Sequence, residues 1–323
     1  MLGIWAALCF AGGLYASWLG YGGRDFAATL TAFAFFLGVM LLFAARGTAE
    51  FLLSRFGPGS GYLLGGATFF AWLIYALGTN TITIARAGAV AAFVFVPLAL
   101  ATSAQQKPMG AWQDYLTLVA VWVAIKPLPN PWEISLSHWL WPYPDAKLAY
   151  VFTVLLALNV ALGAFLLVRQ FSGVGYSIGW GNRWGCYIVA SFTVFGCIAI
   201  PLGQWIHFIQ FAPHWAEWKT VPFLGIAILL FTAWPEEFLF RGILQNALAK
   251  TCRSDFAGWW TASILFGFSH ITNMGFPNWR YVILASIAGF FYGWTWRKSR
   301  SIFASAIVHG LVDLTWHFLF RTL

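Results

Sequence analysis

Long apolar runs, separated by short stretches that contain the charged residues, extend along the whole chain. Each run is long enough, or nearly so, to cross a hydrocarbon core of about 30 Å as a helix. The pattern predicts roughly eleven membrane helices, at residues 4–20, 27–45, 61–79, 87–104, 112–126, 148–168, 184–206, 220–248, 256–272, 280–296 and 301–320. We therefore predict an all-α fold, a polytopic transmembrane helical bundle.

The composition agrees with this pattern. Hydrophobic residues make up 60% of the 323 positions and charged residues 9%, and the mean hydropathy is +0.74. These values lie outside the range of ordinary soluble domains. The net charge of +8 does not indicate nucleic acid as a partner, because the basic residues fall mostly between the apolar runs, where they orient membrane helices. We expect an integral, multi-pass protein of a bacterial-type cell membrane, with the lipid bilayer as its surroundings.

The longest connection between predicted helices, residues 126–147, divides the chain. It is rich in Pro and Trp, a mixture typical of an interfacial loop with aromatic anchors. The apolar runs before it contain almost no polar side chains, so we predict that residues 1–147 form an accessory transmembrane region to which the sequence assigns no role. Residues 148–323 are predicted to form a second region.

The largest departure from the apolar pattern is the run WPEEFLFR at residues 234–241. A charged side chain at the centre of a membrane helix costs about 2.5–3.5 kcal/mol, so two carboxylates and a guanidinium there indicate a functional site. Glu237 and Arg241 are four residues apart, share a helix face and are predicted to form a desolvated pair. Glu236 projects about 100° away and is the candidate general base. Pro235 predicts a kink just before the acids.

Further polar residues follow near the C-terminus. His270 ends an apolar run that contains Phe266, and His309 and Asp313 are four residues apart on one face of the last predicted helix. A carboxylate and a histidine together can activate water, and a second histidine with a polar neighbour can stabilise an oxyanion. The set therefore predicts hydrolysis. Two histidines and a carboxylate can also bind Zn²⁺, which is the alternative chemistry.

The same residue types also occur in proteins of other functional classes. Intramembrane Glu, Arg and His also line ion pathways, so a membrane transporter or proton-coupled carrier is the alternative function. Against it, the first half of the chain contains no inverted repeat of the polar pattern. A formal GxSxG at residues 175–179 lies in a short connection between apolar runs, whereas a nucleophile elbow requires a strand before it and a helix after it.

Three motifs resemble the signature of the CPBP family of intramembrane proteases, also called Abi or type II CAAX prenyl proteases. That signature is EExxxR, then FxxxH, then HxxxN or HxxxD, on successive core helices. This chain has EEFLFR at residues 236–241, FGFSH at 266–270 and HGLVD at 309–313. The matching core extends back to about residue 148, and the residues before it resemble no family that we recognise.

The resemblance implies a glutamic-type endopeptidase that works inside the bilayer on a membrane-anchored or lipidated polypeptide. By this resemblance, Glu236 and His270 activate the water molecule, while His309 and Asp313 form the oxyanion site. The residues with a structural role in the site are Glu237, Arg241 and Phe266.

No metal or other cofactor is expected, because the positive charge of Arg241 beside the acidic pair disfavours a divalent cation. One departure from the family matters. The prenyl-protease branch has Asn where this chain has Asp313, and an ionised aspartate would repel an oxyanion. We therefore expect Asp313 to be protonated, or to act by orienting His309.

Overall fold

The computed structural model describes residues 1–125, 136–142 and 148–323, and its regular structure is almost entirely helical, which confirms the all-α prediction. The helices are α1 Leu2–Trp18, α2 Gly23–Ala44, α3 Thr48–Gly78, α4 Ile84–Ser103, α5 Trp112–Ile125, α6 Leu136–Leu140, α7 Ala149–Val168, α8 Trp184–Trp205, α9 Trp215–Thr251, α10 Asp255–Phe268, α11 Trp279–Ser299 and α12 Ile302–Leu319.

Each predicted membrane segment coincides with one of these helices, and α6 is an additional short one. Within the described residues, seven helices are long and apolar enough to cross a membrane, namely α2, α3, α4, α7, α8, α9 and α12. Of the others, α1 has 17 residues, and α5 and α10 have 14 each. Helix α11 has 21 residues but carries Arg297 and Lys298 in its last turn. The fold is therefore a polytopic helical bundle.

The chain divides into two compact units, Met1–Ser172 and Gly173–Leu323. Helix α7, which we predicted to belong to the catalytic core, is part of the first unit, and 89% of its most apolar window is buried. The boundary predicted at residues 147 and 148 concerns function and stays a prediction. Most of the Pro- and Trp-rich connection at residues 126–147 lies outside the described residues.

The first unit contains a buried ion pair that its apolar sequence did not predict. Arg169 donates from Nε to Asp114 Oδ1 at 2.6 Å and from Nη2 to Oδ2 at 3.0 Å. Asp114 also accepts hydrogen bonds from the backbone N–H groups of Gly110 and Ala111. Bidentate pairing with further hydrogen bonds compensates the burial of both charges. The pair connects the start of α5 to the chain just after α7.

Helix α9 has an irregular backbone around the acidic pair. It extends over 37 residues, about 55 Å at 1.5 Å per residue, so its ends must emerge from a hydrocarbon core of about 30 Å. π-helical stretches at Leu229–Ala233 and Phe238–Gln245 flank the turn Trp234–Glu237. Pro235, which has no N–H to donate, accounts for the irregularity before the acids. The predicted kink therefore takes the form of widened helical turns, which often occur at functional sites.

Helices α10 and α11 pack closely at Gly267. A Cβ at this position would overlap the Ser286 hydroxyl and lie 2.5 Å from the carbonyl oxygen of Val282. Because backbone atoms cannot move aside as a flexible side chain can, only glycine permits this approach. The contact fixes the end of α10, from which His270 follows.

A short antiparallel ribbon joins the ends of α8 and α12. Strand β1, Ile209–Phe211, pairs with strand β2, Phe320–Thr322, with Ile209 opposite Thr322. Strand β2 of the ribbon directly follows α12, the helix of the third motif.

Candidate active site

The carboxylate of Glu237 is the centre of a hydrogen-bond network in the second unit. The residue is fully buried and accepts hydrogen bonds from three side chains. Arg241 Nε donates to Oε2 at 3.0 Å, Ser305 Oγ donates to Oε2 at 2.6 Å, and His309 Nδ1 donates to Oε1 at 3.0 Å. Three donors, one of them a cation, compensate the burial of the negative charge. The first and third motifs therefore meet at Glu237.

The guanidinium of Arg241 is also fully buried, and aromatic rings surround it. Its Cζ lies 4.8 Å from the ring centroid of Phe266, 5.8 Å from that of Tyr292 and 5.9 Å from that of Phe240. Among the described residues its Nη1 and Nη2 atoms have no hydrogen-bond partner. The cation is therefore stabilised by the Glu237 carboxylate and by cation–π contacts.

Both ring nitrogens of His309 face carboxylates. Nδ1 donates to Glu237, and Nε2 lies 3.4 Å from Asp313 Oδ2. The ring also stacks on Tyr292, with the centroids 4.6 Å apart. Because Nδ1 carries a proton, a neutral imidazole would direct the lone pair of Nε2 at an ionised Asp313. Such a contact is favourable only with a proton between the two atoms, so His309 and Asp313 share one proton.

The tautomer of His270 follows from its contact with a backbone carbonyl. Its Nδ1 lies 2.9 Å from the carbonyl oxygen of Phe266 and 3.1 Å from Ser269 Oγ. A carbonyl oxygen only accepts hydrogen bonds, so Nδ1 carries the proton and Nε2 is the basic nitrogen of the neutral ring. This tautomer suits a histidine that assists in removing a proton from water.

Glu236 is only 3% exposed, so it does not lie on the lipid-facing surface. Its charge and that of Asp313 both act on the phenol of Tyr281. The ring of Tyr281 lies 5.1 Å from that of His270. Tyr281 is therefore a common neighbour of residues from all three motifs.

A cavity of about 710 Å³ lies beside the third motif. Helices α8, α11 and α12 and the ribbon form its mostly apolar walls, and Tyr281, His309 and Asp313 supply polar atoms. Glu236 and His270 do not line it. An apolar ligand in this cavity would lie against the third motif.

A metal ion does not fit the arrangement of these side chains. Within the described ranges, no group of three or more His, Cys, Asp or Glu side chains is placed to bind one ion. Catalytic zinc needs three protein ligands and an open position. Nδ1 of both histidines is already hydrogen-bonded, so only Nε2 of each ring could bind an ion, and Nε2 of His309 lies 3.4 Å from Asp313. The absence of a metal cofactor stays a prediction, to be tested by elemental analysis.

The structure adds three residues that the sequence did not assign to the site. Ser305 lies four residues before His309, so the helical spacing of α12 was a signal that could have found it. Tyr281 and Tyr292 lie on α11, which carries no motif, and no local pattern distinguishes them from other aromatic residues of the chain.

The GxSxG segment at residues 175–179 lies in the non-helical connection between α7 and α8, with no strand before Ser177 among the described residues. Tyr176 of this segment is buried against the rings of Trp234 and Phe238. Burial raises the pKa of the Tyr176 phenol above its usual value. The segment supports α9 by packing and lacks the strand and turn of a nucleophile elbow, as expected.

Fold and site together define an all-α membrane protein with a buried carboxylate and histidine centre in its C-terminal unit. Residues 218–315 match the family model described as "Type II CAAX prenyl endopeptidase Rce1-like", and this segment contains all three motifs. The match confirms the resemblance of this segment to the CPBP family that the motifs predicted. The match supports a peptide hydrolase in a membrane setting. No curated protein and no solved structure matches the chain.

Proposed function

We propose that the protein is an intramembrane endopeptidase that cleaves a membrane-anchored or lipidated polypeptide near the membrane interface. The convergence of three distant motifs on one buried network carries this proposal. Glu237 contacts His309 at 3.0 Å, and the ring of Phe266 packs against Arg241. Isolated charges are expensive inside a bilayer, so a compensated cluster beside a cavity is most simply explained by catalysis.

In the proposed reaction, Glu236 and His270 activate a water molecule. The water oxygen attacks the carbonyl carbon of the scissile bond, and its proton passes to the Glu236 and His270 pair. The π electrons of the carbonyl move to its oxygen, which becomes the oxyanion. The C–N bond then breaks as the leaving amine takes up the proton.

The proton shared by His309 and Asp313 supports their role in stabilising the oxyanion. An ionised aspartate alone would repel the developing charge, but the pair can direct its proton at the substrate oxygen. The separation of 3.4 Å is long for a hydrogen bond, and the Asp313 side chain is 35% exposed. A substrate oxygen can therefore compete for this proton from the cavity side.

The cavity supports a substrate with an apolar part. Its volume of about 710 Å³ is in the usual range of ligand pockets, and its walls are mostly apolar. A lipid chain or a segment of a membrane helix bound there would place the attached polypeptide near His309 and Asp313.

Cleavage by the purified protein in liposomes tests this proposal. Three fluorescent peptides of one sequence serve as probes: one with a farnesyl cysteine, one with a hexadecyl cysteine and one fused to a single membrane helix. We expect the wild-type protein to cleave at least one of them and Glu236→Gln to cleave none, at an unchanged melting temperature. Glu50→Gln, a change at an exposed glutamate of α3, is the matched control and should retain activity.

Equal cleavage by Glu236→Gln and the wild type would remove Glu236 from the mechanism. If no probe is cleaved, but the protein conducts protons across the liposome membrane and Glu236→Gln abolishes the flux, the carrier is the better interpretation.

A further inference from the structure

Tyr281, in the first turn of α11, lies in the cavity wall beside His309 and Asp313 but belongs to none of the three motifs. We propose that the Tyr281 hydroxyl is a further catalytic group, which donates a hydrogen bond to the oxyanion of the tetrahedral intermediate. This inference rests on the proposed function and adds a donor to it.

The aromatic ring of Tyr281 is held by three other rings. It stacks on Trp316 with centroids 5.5 Å apart and an interplanar angle of 26°, and it lies 5.1 Å from His270 and 5.4 Å from Phe208. Surrounding rings of this kind restrict both the position and the tilt of the phenol. A donor fixed before the reaction stabilises a developing charge without reorganisation, which is the requirement for an oxyanion site.

The surroundings of the hydroxyl suit donation into the cavity. Tyr281 lines the cavity together with His309 and Asp313, and the negative charge of Asp313 acts on its hydroxyl. A neutral phenol carries one proton, which it can donate to an acceptor in the cavity.

The position of Tyr281 also matches the path of the reaction. A carbonyl attacked by water at Glu236 and His270 and stabilised from Asp313 must lie between these groups. Tyr281 has its ring 5.1 Å from that of His270 and lines the same cavity as Asp313. Asp313 and His309 have a single shared proton to offer, because the other His309 proton is committed to Glu237. A neutral phenol near them supplies a second donor and adds no charge.

Tyr281→Phe isolates the hydroxyl, because the ring and its stacking remain. With the peptide that the wild type cleaves, we expect kcat to fall about 10²-fold to 10³-fold, the usual effect of removing one oxyanion donor, while KM stays within a few-fold. Tyr187→Phe on α8 is the matched control, because Tyr187 packs on Trp294 at 5.8 Å and does not line the cavity, and it should retain full activity.

A binding measurement distinguishes a catalytic role of the Tyr281 hydroxyl from a structural one. A trifluoromethyl ketone version of the cleaved peptide forms a tetrahedral hydrate, so Tyr281→Phe should weaken its binding by about the factor lost from kcat, and leave binding of an uncleavable substrate peptide unchanged. A wild-type kcat in Tyr281→Phe would overturn the inference and leave the proposed function intact. A lower melting temperature with a raised KM would assign Tyr281 to packing. If the wild type cleaves no probe, the proposed function and this inference fail together.

Discussion

At the scale of single residues, Glu237 shows what spacing can predict and what it cannot. The sequence predicted its pairing with Arg241, because two residues four apart on one helix meet whatever the rest of the fold does. The hydrogen bonds from Ser305 and His309 were not predicted, because they depend on how α12 packs against α9. Local pairs can thus be read from the sequence, whereas pairs between helices cannot.

The stability of this network is testable. Glu237→Gln or Arg241→Leu leaves a buried charge without its partner, so we expect each to lower the free energy of unfolding by about 3–5 kcal/mol. Thermal unfolding in detergent, read as folded yield and melting temperature, measures the loss. Glu50→Gln serves again as the control at an exposed position. Unchanged melting in both core variants would show that the pair does not stabilise the fold.

His309 gives a prediction about catalysis. His309→Ala removes the donor to the oxyanion, which exists only after the attack of water, so kcat should fall far more than KM rises. Steady-state kinetics on the cleaved peptide separates the two constants. His317→Ala on the same helix is the control, because the His317 side chain is about half exposed and lies two turns further on. A large rise in KM with kcat unchanged would instead assign His309 to substrate binding.

At the scale of elements, the hydrophobic pattern predicted where helices occur, because every predicted segment is helical. It predicted less well which of them are long enough to cross the membrane, since α5 and α10 end after 14 residues each. For the π-helical turns of α9, Pro235 was the only signal in the sequence. The apolar cavity was not predicted, because α8 contributes to it through apolar side chains that carry no distinguishing signal.

The contact between α10 and α11 leads to a prediction at this scale. Gly267→Ala should separate the two helices, displace His270 and reduce both the melting temperature and the rate of cleavage, because the new methyl group meets backbone atoms of α11. Gly185→Ala on α8 is the matched control, because no atom lies within 4 Å of its added Cβ. That change should be neutral or stabilise by up to about 1 kcal/mol. Equal behaviour of the two variants would contradict the close packing.

At the scale of the whole molecule, all the candidate chemistry lies in the second unit. The match to the family covers residues 218–315, and each motif residue belongs to α9, α10, α12 or the turn after α10. The first unit has its own buried ion pair, between Asp114 and Arg169. That pair has bidentate geometry and backbone hydrogen bonds, which favours a structural role in the accessory region that we predicted.

Metal content is the property of the whole protein that best distinguishes glutamate-dependent hydrolysis from zinc-dependent hydrolysis. A zinc enzyme would need His270 and His309 neutral and pointing at one ion, together with a carboxylate ligand and an open water position. Instead, Nε2 of His309, the nitrogen that would have to bind the ion, lies 3.4 Å from Asp313 Oδ2, and the described residues contain no group of three or more His, Cys, Asp or Glu side chains that could hold a metal. The buried cation of Arg241 next to Glu237 further disfavours a divalent ion nearby. We therefore expect elemental analysis of the purified protein to find no stoichiometric zinc, and cleavage to continue after prolonged dialysis against a chelator. One zinc per chain, with activity lost on chelation and restored by added zinc, would instead make His270 and His309 metal ligands.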